Sequence, residues 1–185
     1  MRRENYGLYP NVTIDLEKYI EAESRELESE RLNGYTVIAT TYKYHDPEKH
    51  YWNYTKVQVK DAAGKVCAEF WRNYYSLDGI VVTQNNTDYF VSSSDYQCIT
   101  ICNLSTGDVK SYTDVDDIKH GCGFCPIYFD WDDGTLYVEG CIWACPYETM
   151  KCSNIDLENP IPAFNSADWF DDYDETCTEE EEDDE

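Results

Sequence analysis

Between Tyr35 and Leu157 the apolar residues recur at every second position in runs too short and too often interrupted for helices. The pattern runs through YTVIATTYKYH, YTKVQVK, KVCAEFWRNYY, GIVVT, DYFVSSS, CITICNL and DVKSYT, then through CPIYFDW, TLYVEGCIWA and ETMKCSNIDL. A period of two sends successive side chains to opposite faces of an extended chain, so each run reads as a strand with one face toward a core. Turn signals separate the runs, among them His45-Asp46-Pro47, Ala63-Gly64, Asp78-Gly79 and Asp133-Gly134. About ten short strands at such regular spacing predict a mainly β fold built of antiparallel meander units. The aromatic content of 15%, with 17 Tyr, suits half-buried pleated surfaces.

The segment ahead of this series has a different composition. Thr13 to Leu32, TIDLEKYIEAESRELESERL, predicts one N-terminal surface helix, with Thr13 as N-cap, acids in the first turn and Asn33-Gly34 as the stop. Its buried side is expected at Tyr19, Ile20 and Leu27, covering a sheet edge. The chain is thus expected to divide into an N-terminal segment and helix (1–34), an antiparallel β domain (35–160) and a largely disordered acidic tail (161–185).

Charge narrows the partners. The chain carries 38 acidic and 14 basic residues, a net charge of −24, and positions 168–185 hold 12 of the acids with no Lys or Arg. That leaves 26 acids against 14 bases, or −12, for the remainder. Such a body repels phosphate backbones and anionic lipid, so neither direct nucleic-acid binding nor membrane association is expected, and a partner with a basic surface is. No stretch approaches the roughly 20 apolar residues of a membrane helix, and MRRENYGLYP has no apolar run behind its arginines, which predicts a soluble intracellular protein.

Residues 88–113, DYFVSSSDYQCITICNLSTGDVKSYT, resemble a β-propeller blade of the WD40 type: a strand ending in serines, a turn, a strand ending at Asn103-Leu104, a Thr106-Gly107-Asp108 turn and another strand. Residues 134–160 are similar in arrangement. Their Gly-x-x-Trp-x-x-Pro-Tyr-Glu segment also resembles uncharacterised β-rich proteins, some from large DNA viruses. The resemblance implies blade-like units without a complete ring, because a closed propeller takes at least four blades of about 40 to 45 residues. Two or three such units, stacked or merged into one curved sheet, fit the length.

Nine cysteines without a secretory signal read as reduced thiols rather than a disulfide framework. Cys122-x2-Cys125 and Cys141-x3-Cys145 have near zinc-ribbon spacing, which makes a zinc module of Cys122, Cys125, Cys141 and Cys145 an alternative. A two-residue turn at Asp133-Gly134 sets Cys122 opposite Cys145 and Cys125 opposite Ile142. On one continuous strand, however, Cys141 and Cys145 are roughly 13 Å apart, too far to share an ion. The favoured expectation is therefore a metal-free core strand in which Trp143, Cys141 and Cys145 face one layer.

No catalytic residues are assigned. The chain has no nucleophile elbow, phosphate loop, dinucleotide fingerprint or His-Glu-x-x-His, and a His120–Cys122 pair has neither a basic environment nor an orienting group. Asp130, Asp132 and Asp133 are ordinary turn residues. The function expected is a non-catalytic protein-interaction module. Its contacts are placed at Phe164, Trp169, Phe170 and Tyr173, rings embedded among acids. The rival from another class is a DNA mimic that presents carboxylates in place of phosphates.

Overall fold

The computed structural model describes residues 4–11, 20–44, 52–73, 78–120, 123–142 and 147–171. The strands are β1 (Tyr6–Tyr9), β2 (Ile20–Leu32), β3 (Tyr35–Tyr44), β4 (Trp52–Lys60), β5 (Val66–Arg72), β6 (Gly79–Gln84), β7 (Thr87–Ser92), β8 (Ile99–Asn103), β9 (Val109–Asp114), β10 (Cys125–Asp132), β11 (Thr135–Cys141), β12 (Tyr147–Cys152) and β13 (Asp168–Asp171). Two helices of five residues, α1 (Val115–Lys119) and α2 (Ile161–Asn165), complete the described elements. No helix among the described residues is long and apolar enough to cross a membrane.

The strands form three open antiparallel sheets, each a meander of consecutive strands: β2 to β5, β6 to β9, and β10 to β13. β1 joins the second sheet beyond β9. The mainly β expectation therefore holds, with the strands in three separate sheets.

The expected N-terminal helix is overturned from Ile20 onward, where the chain is a 13-residue strand paired with β3. Residues 12–19 lie outside the described set. The Asn33-Gly34 signal explains the difference, because it serves helix ends and hairpins alike. Here Leu32 pairs with Tyr35, and Asn33 and Gly34 have φ of 47° and 86°, the double positive φ of a two-residue hairpin turn. Helix propensity differs by only tenths of a kcal/mol among such residues, whereas the turn and the β3 ladder satisfy backbone groups along the whole run. The same turn chemistry recurs at Asn85-Asn86 and Asp133-Gly134.

The second sheet is the central layer. All of Ile99, Thr100, Ile101 and Cys102 on β8 are buried, which requires cover on both faces. Val81, Phe90, Cys102 and Leu104 pack against Val37, Val57, Val59, Ala68 and Phe70 of the first sheet. On the other side Tyr89, Val91, Ile99, Ile101 and Tyr112 meet Phe129, Leu136, Val138 and Met150 of the third. Two cores thus lie between three layers, and the outer faces of the first and third sheets have no described layer beyond them.

The third sheet departs from the sequence reading at both ends. The β10–β11 hairpin follows the register expected for an Asp133-Gly134 turn from Asp132↔Thr135 to Tyr128↔Glu139, then shifts by one residue at Ile127. This bulge sets Cys125 opposite Cys141, where Ile142 was expected. β11 ends at Cys141, short of the expected TLYVEGCIWA strand, and Cys141 is already the partner of Tyr147 on β12. At the C-terminus, residues 161–171 belong to the fold: α2 packs into the core, and β13 extends the sheet through Thr149↔Phe170 and Met150↔Trp169. The acidic run at 172–185 lies outside the described residues.

Candidate functional site

Alternation along the third sheet separates a core face from an outer one. Phe129, Val138, Met150 and Trp169 form a register row on the core side. The neighbouring rows, Asp130–Tyr137–Lys151–Asp168 and Tyr128–Glu139–Thr149–Phe170, therefore face outward. Tyr147 on β12 has the parity of Thr149 and Lys151, so it continues the same face. Tyr128 is 54% exposed, Phe170 51% and Tyr147 47%, high values for large aromatic side chains. The bulge contributes directly, since the extra residue, Ile127, is itself exposed beside Tyr128.

Asp130, Glu139 and Asp168 stand among these rings, and Asp132 extends the acids along β10. One cation is present on the face, Lys151, with its ammonium 5.9 Å from the centre of the Tyr137 ring. The face therefore already holds one cation over a ring next to carboxylates. A ring quadrupole and neighbouring carboxylates attract the same ligand, an ammonium or guanidinium group.

The sequence-predicted residues divide sharply. Phe164 is fully buried, with ring centres 5.1 Å from Tyr6 and 5.7 Å from Tyr112, so the expectation that it contacts a partner is overturned. It closes the core because α2 turns it inward while the backbone N–H of Tyr6 donates to Asn165 Oδ1 at 2.6 Å. Trp169 is partly buried and meets Phe124 edge-on at 5.0 Å. Phe170, its neighbour on the strand, points the other way and is the exposed one. Tyr173 lies outside the described residues.

Of the four cysteines with zinc-like spacing, the structure brings Cys125 and Cys141 together; Cys122 and Cys145 lie outside the described residues, as does Trp143. Cys141 is buried and Cys125 is partly exposed. Burial pushes the Cys125 thiol up to about 11, with smaller contributions from Cys141 and Asp95 opposed by Arg72. Among the described residues no group of three or more His, Cys, Asp or Glu side chains is placed to hold a metal ion.

Sequence reading missed a second polar feature, where the end of the first sheet meets the second. Asp95, in the β7–β8 loop, accepts from Tyr9 Oη at 3.0 Å and Asn73 Nδ2 at 3.4 Å, tying the residue after β5 to the central sheet and its edge strand β1 to the β7–β8 loop. Burial and the Asp95 carboxylate hold the Tyr9 hydroxyl well above the usual tyrosine range. Arg72 is 2% exposed and donates to Ser93 Oγ at 3.2 Å. Ser94, Thr100 and Ser111 close a hydroxyl network at 2.8 to 2.9 Å, with Cys98 Sγ 3.3 Å from Ser94 Oγ. Burial keeps the Cys98 thiol protonated beyond its ordinary range, which suits a joint better than a nucleophile. The signal was Ser92-Ser93-Ser94-Asp95, small polar residues where a buried strand ends.

A groove of about 250 Å³ is lined by Tyr89, Ile101, Thr106, Asp108, Lys110 and Glu158, among others. It brings Lys110 among the carboxylates of Asp108 and Glu158, with Thr106 Oγ1 donating to Asp108 Oδ2 at 3.0 Å. Comparison with protein-family models, curated proteins and solved structures finds no match to this chain.

Proposed function

We propose that the protein is a non-catalytic interaction module that docks a lysine- or arginine-rich protein segment on the outer face of the third sheet. The observation that carries this reading is the exposure of Tyr128, Tyr147 and Phe170 among Asp130, Glu139 and Asp168. Each cation seated over an exposed ring contributes about 0.5 to 1 kcal/mol, so three rings supply about 2 kcal/mol, some thirtyfold in affinity. Further attraction comes from the chain's own continuation. β13 ends at Asp171 on the edge of this sheet, and the residues that follow, 172–185, include ten acids and no base. They are covalently tethered beside the face, where their charge raises the local concentration of a cationic partner.

Aromatic side chains favour this reading over DNA mimicry, which needs carboxylates in phosphate-like rows rather than carboxylates interrupted by rings. Three consecutive four-stranded meanders also support the blade-like reading of the sequence, since such units bind partners through the surfaces their neighbours leave open.

The test is fluorescence anisotropy with a labelled Lys/Arg-rich peptide and the full chain. Affinity should fall steeply with salt, and Tyr128→Ala with Phe170→Ala together should weaken it about tenfold without changing the melting temperature. Binding untouched by these changes but lost on ending the chain at Asp171 would move the function to the tail. Salt-sensitive competition with DNA for a DNA-binding protein, indifferent to both rings, would support the mimic.

A further inference from the structure

The bulge at Ile127 has a second effect at the open end of the β10–β11 hairpin, independent of partner docking. It makes Cys125 and Cys141 direct register partners, so their side chains leave the sheet on the same side. Opposed residues in an antiparallel pair have Cα atoms about 4.5 or 5.5 Å apart, according to ladder position. Both distances fall inside the roughly 4.4 to 6.8 Å that a disulfide spans. The strands also approach closely beside the pair: a Cβ on Gly140 would clash with the Cys125 carbonyl oxygen and lie 2.6 Å from the Phe124 ring. Both thiols are free in the structure, and Cys125 is partly exposed, which gives a soluble reagent a way in.

We propose that Cys125 and Cys141 form a dithiol site that closes to a cross-strand disulfide by exchange with a low-molecular-weight disulfide such as oxidised glutathione. Cys125 gives its proton to solvent, and its thiolate attacks one sulfur of the small disulfide, forming a mixed disulfide and releasing one small thiolate, which takes up a proton. Cys141 gives its proton to solvent and attacks Cys125 Sγ, expelling the second small thiolate. Two protein thiols are oxidised and one disulfide is reduced to two thiols. The bond locks the end of the hairpin next to Tyr147, the register partner of Cys141 on the other side.

The full chain is equilibrated in mixtures of oxidised and reduced glutathione, quenched in acid, alkylated under denaturing conditions, digested and mapped by mass spectrometry. The expected result is a peptide cross-linked between Cys125 and Cys141 and two hydrogens lighter, lost in both Cys125→Ser and Cys141→Ser. The mapping on the unaltered chain stands even if a variant folds poorly. Recovery of both cysteines as alkylated thiols under oxidising conditions would overturn the proposal. So would a link from either one to another cysteine, or a tightly bound equivalent of zinc that prevents the exchange.

Discussion

Phe164 and Phe170 are six residues apart in one short aromatic segment, yet the structure assigns them opposite fates, and substituting each by Ala separates stability from binding. The Phe164 ring is fully buried between Tyr6 and Tyr112. Withdrawing about 150 Å² of apolar surface from water is worth about 4 kcal/mol at roughly 25 cal/mol per Å². Truncations of this kind measure about 3 to 5 kcal/mol, because the cavity left behind only partly collapses. For a chain of this size each kcal/mol moves the melting temperature by about 2 to 4 °C, so Phe164→Ala should lower it by about 10 °C. Phe170 is 51% exposed, and its truncation should shift the melting temperature by less than about 2 °C. Thermal unfolding followed by circular dichroism measures both, and urea titration checks that the slope with denaturant is unchanged. A Phe164→Ala protein within about 1 kcal/mol of the parent would show that α2 is not part of the core, and the assignment of residues 161–171 to the fold would fail with it.

Other outcomes follow from local geometry and charge. Gly140→Ala should destabilise by about 2 kcal/mol or more, because the added Cβ meets backbone and a core ring rather than a flexible side-chain end; unchanged urea stability would mean that β10 and β11 are farther apart than described. Alkaline pH should unfold the protein early. Burial pushes the Cys152 thiol up to about 12 and that of Cys125 up to about 11, well above the ordinary cysteine range. Desolvation raises the hydroxyls of Tyr54 and Tyr112 as well. For each group the folded state keeps a proton that the unfolded chain releases, so the stability is fully present below pH 9 and is lost as pH rises toward 11 to 12. A urea midpoint constant from pH 8 to pH 11 would contradict this. Asp133→Val should cost about 1 kcal/mol or more, since a β-branched side chain is strained at a φ of 41°, and equal stability would argue against the two-residue turn.

Much of the fold can be read from the residues because one face of each strand is buried, and burial writes itself as alternation. The hairpin turn at Asp133-Gly134 was readable, and with it the register as far as Tyr128. Beyond that point the sign of the bulge is Pro126, a residue that sheets confine to edge strands, strand starts and bulges, and it does not say which residue is the extra one. The strand at Ile20–Leu32 was hidden for a different reason. Its Glu- and Arg-rich composition is what a solvated helix uses, but an edge strand also needs charge, to discourage pairing with other chains. At the C-terminus the ambiguity was between two uses of an aromatic ring. Phe170 has Asp168, Asp171 and Asp172 within two residues and Phe164 has no acid within three, and α2 and the pairing of β13 turn the first outward and the second in.

The pairing of β1 with β9 fixes an order of events during synthesis. Each meander closes through hairpins between strands adjacent in sequence, so each can form soon after its own residues appear. Tyr6, however, pairs with Asp114 and donates to Asn165. β1 must therefore wait for partners more than a hundred residues downstream, on the order of 5 to 20 s at typical rates of translation. During that interval Tyr6 and Leu8 are an unpaired strand with nothing to pair with. A ribosome-bound chain stalled before Asp114 should thus be the species most in need of a chaperone, and a bulky N-terminal fusion should slow the last step of folding more than any earlier one.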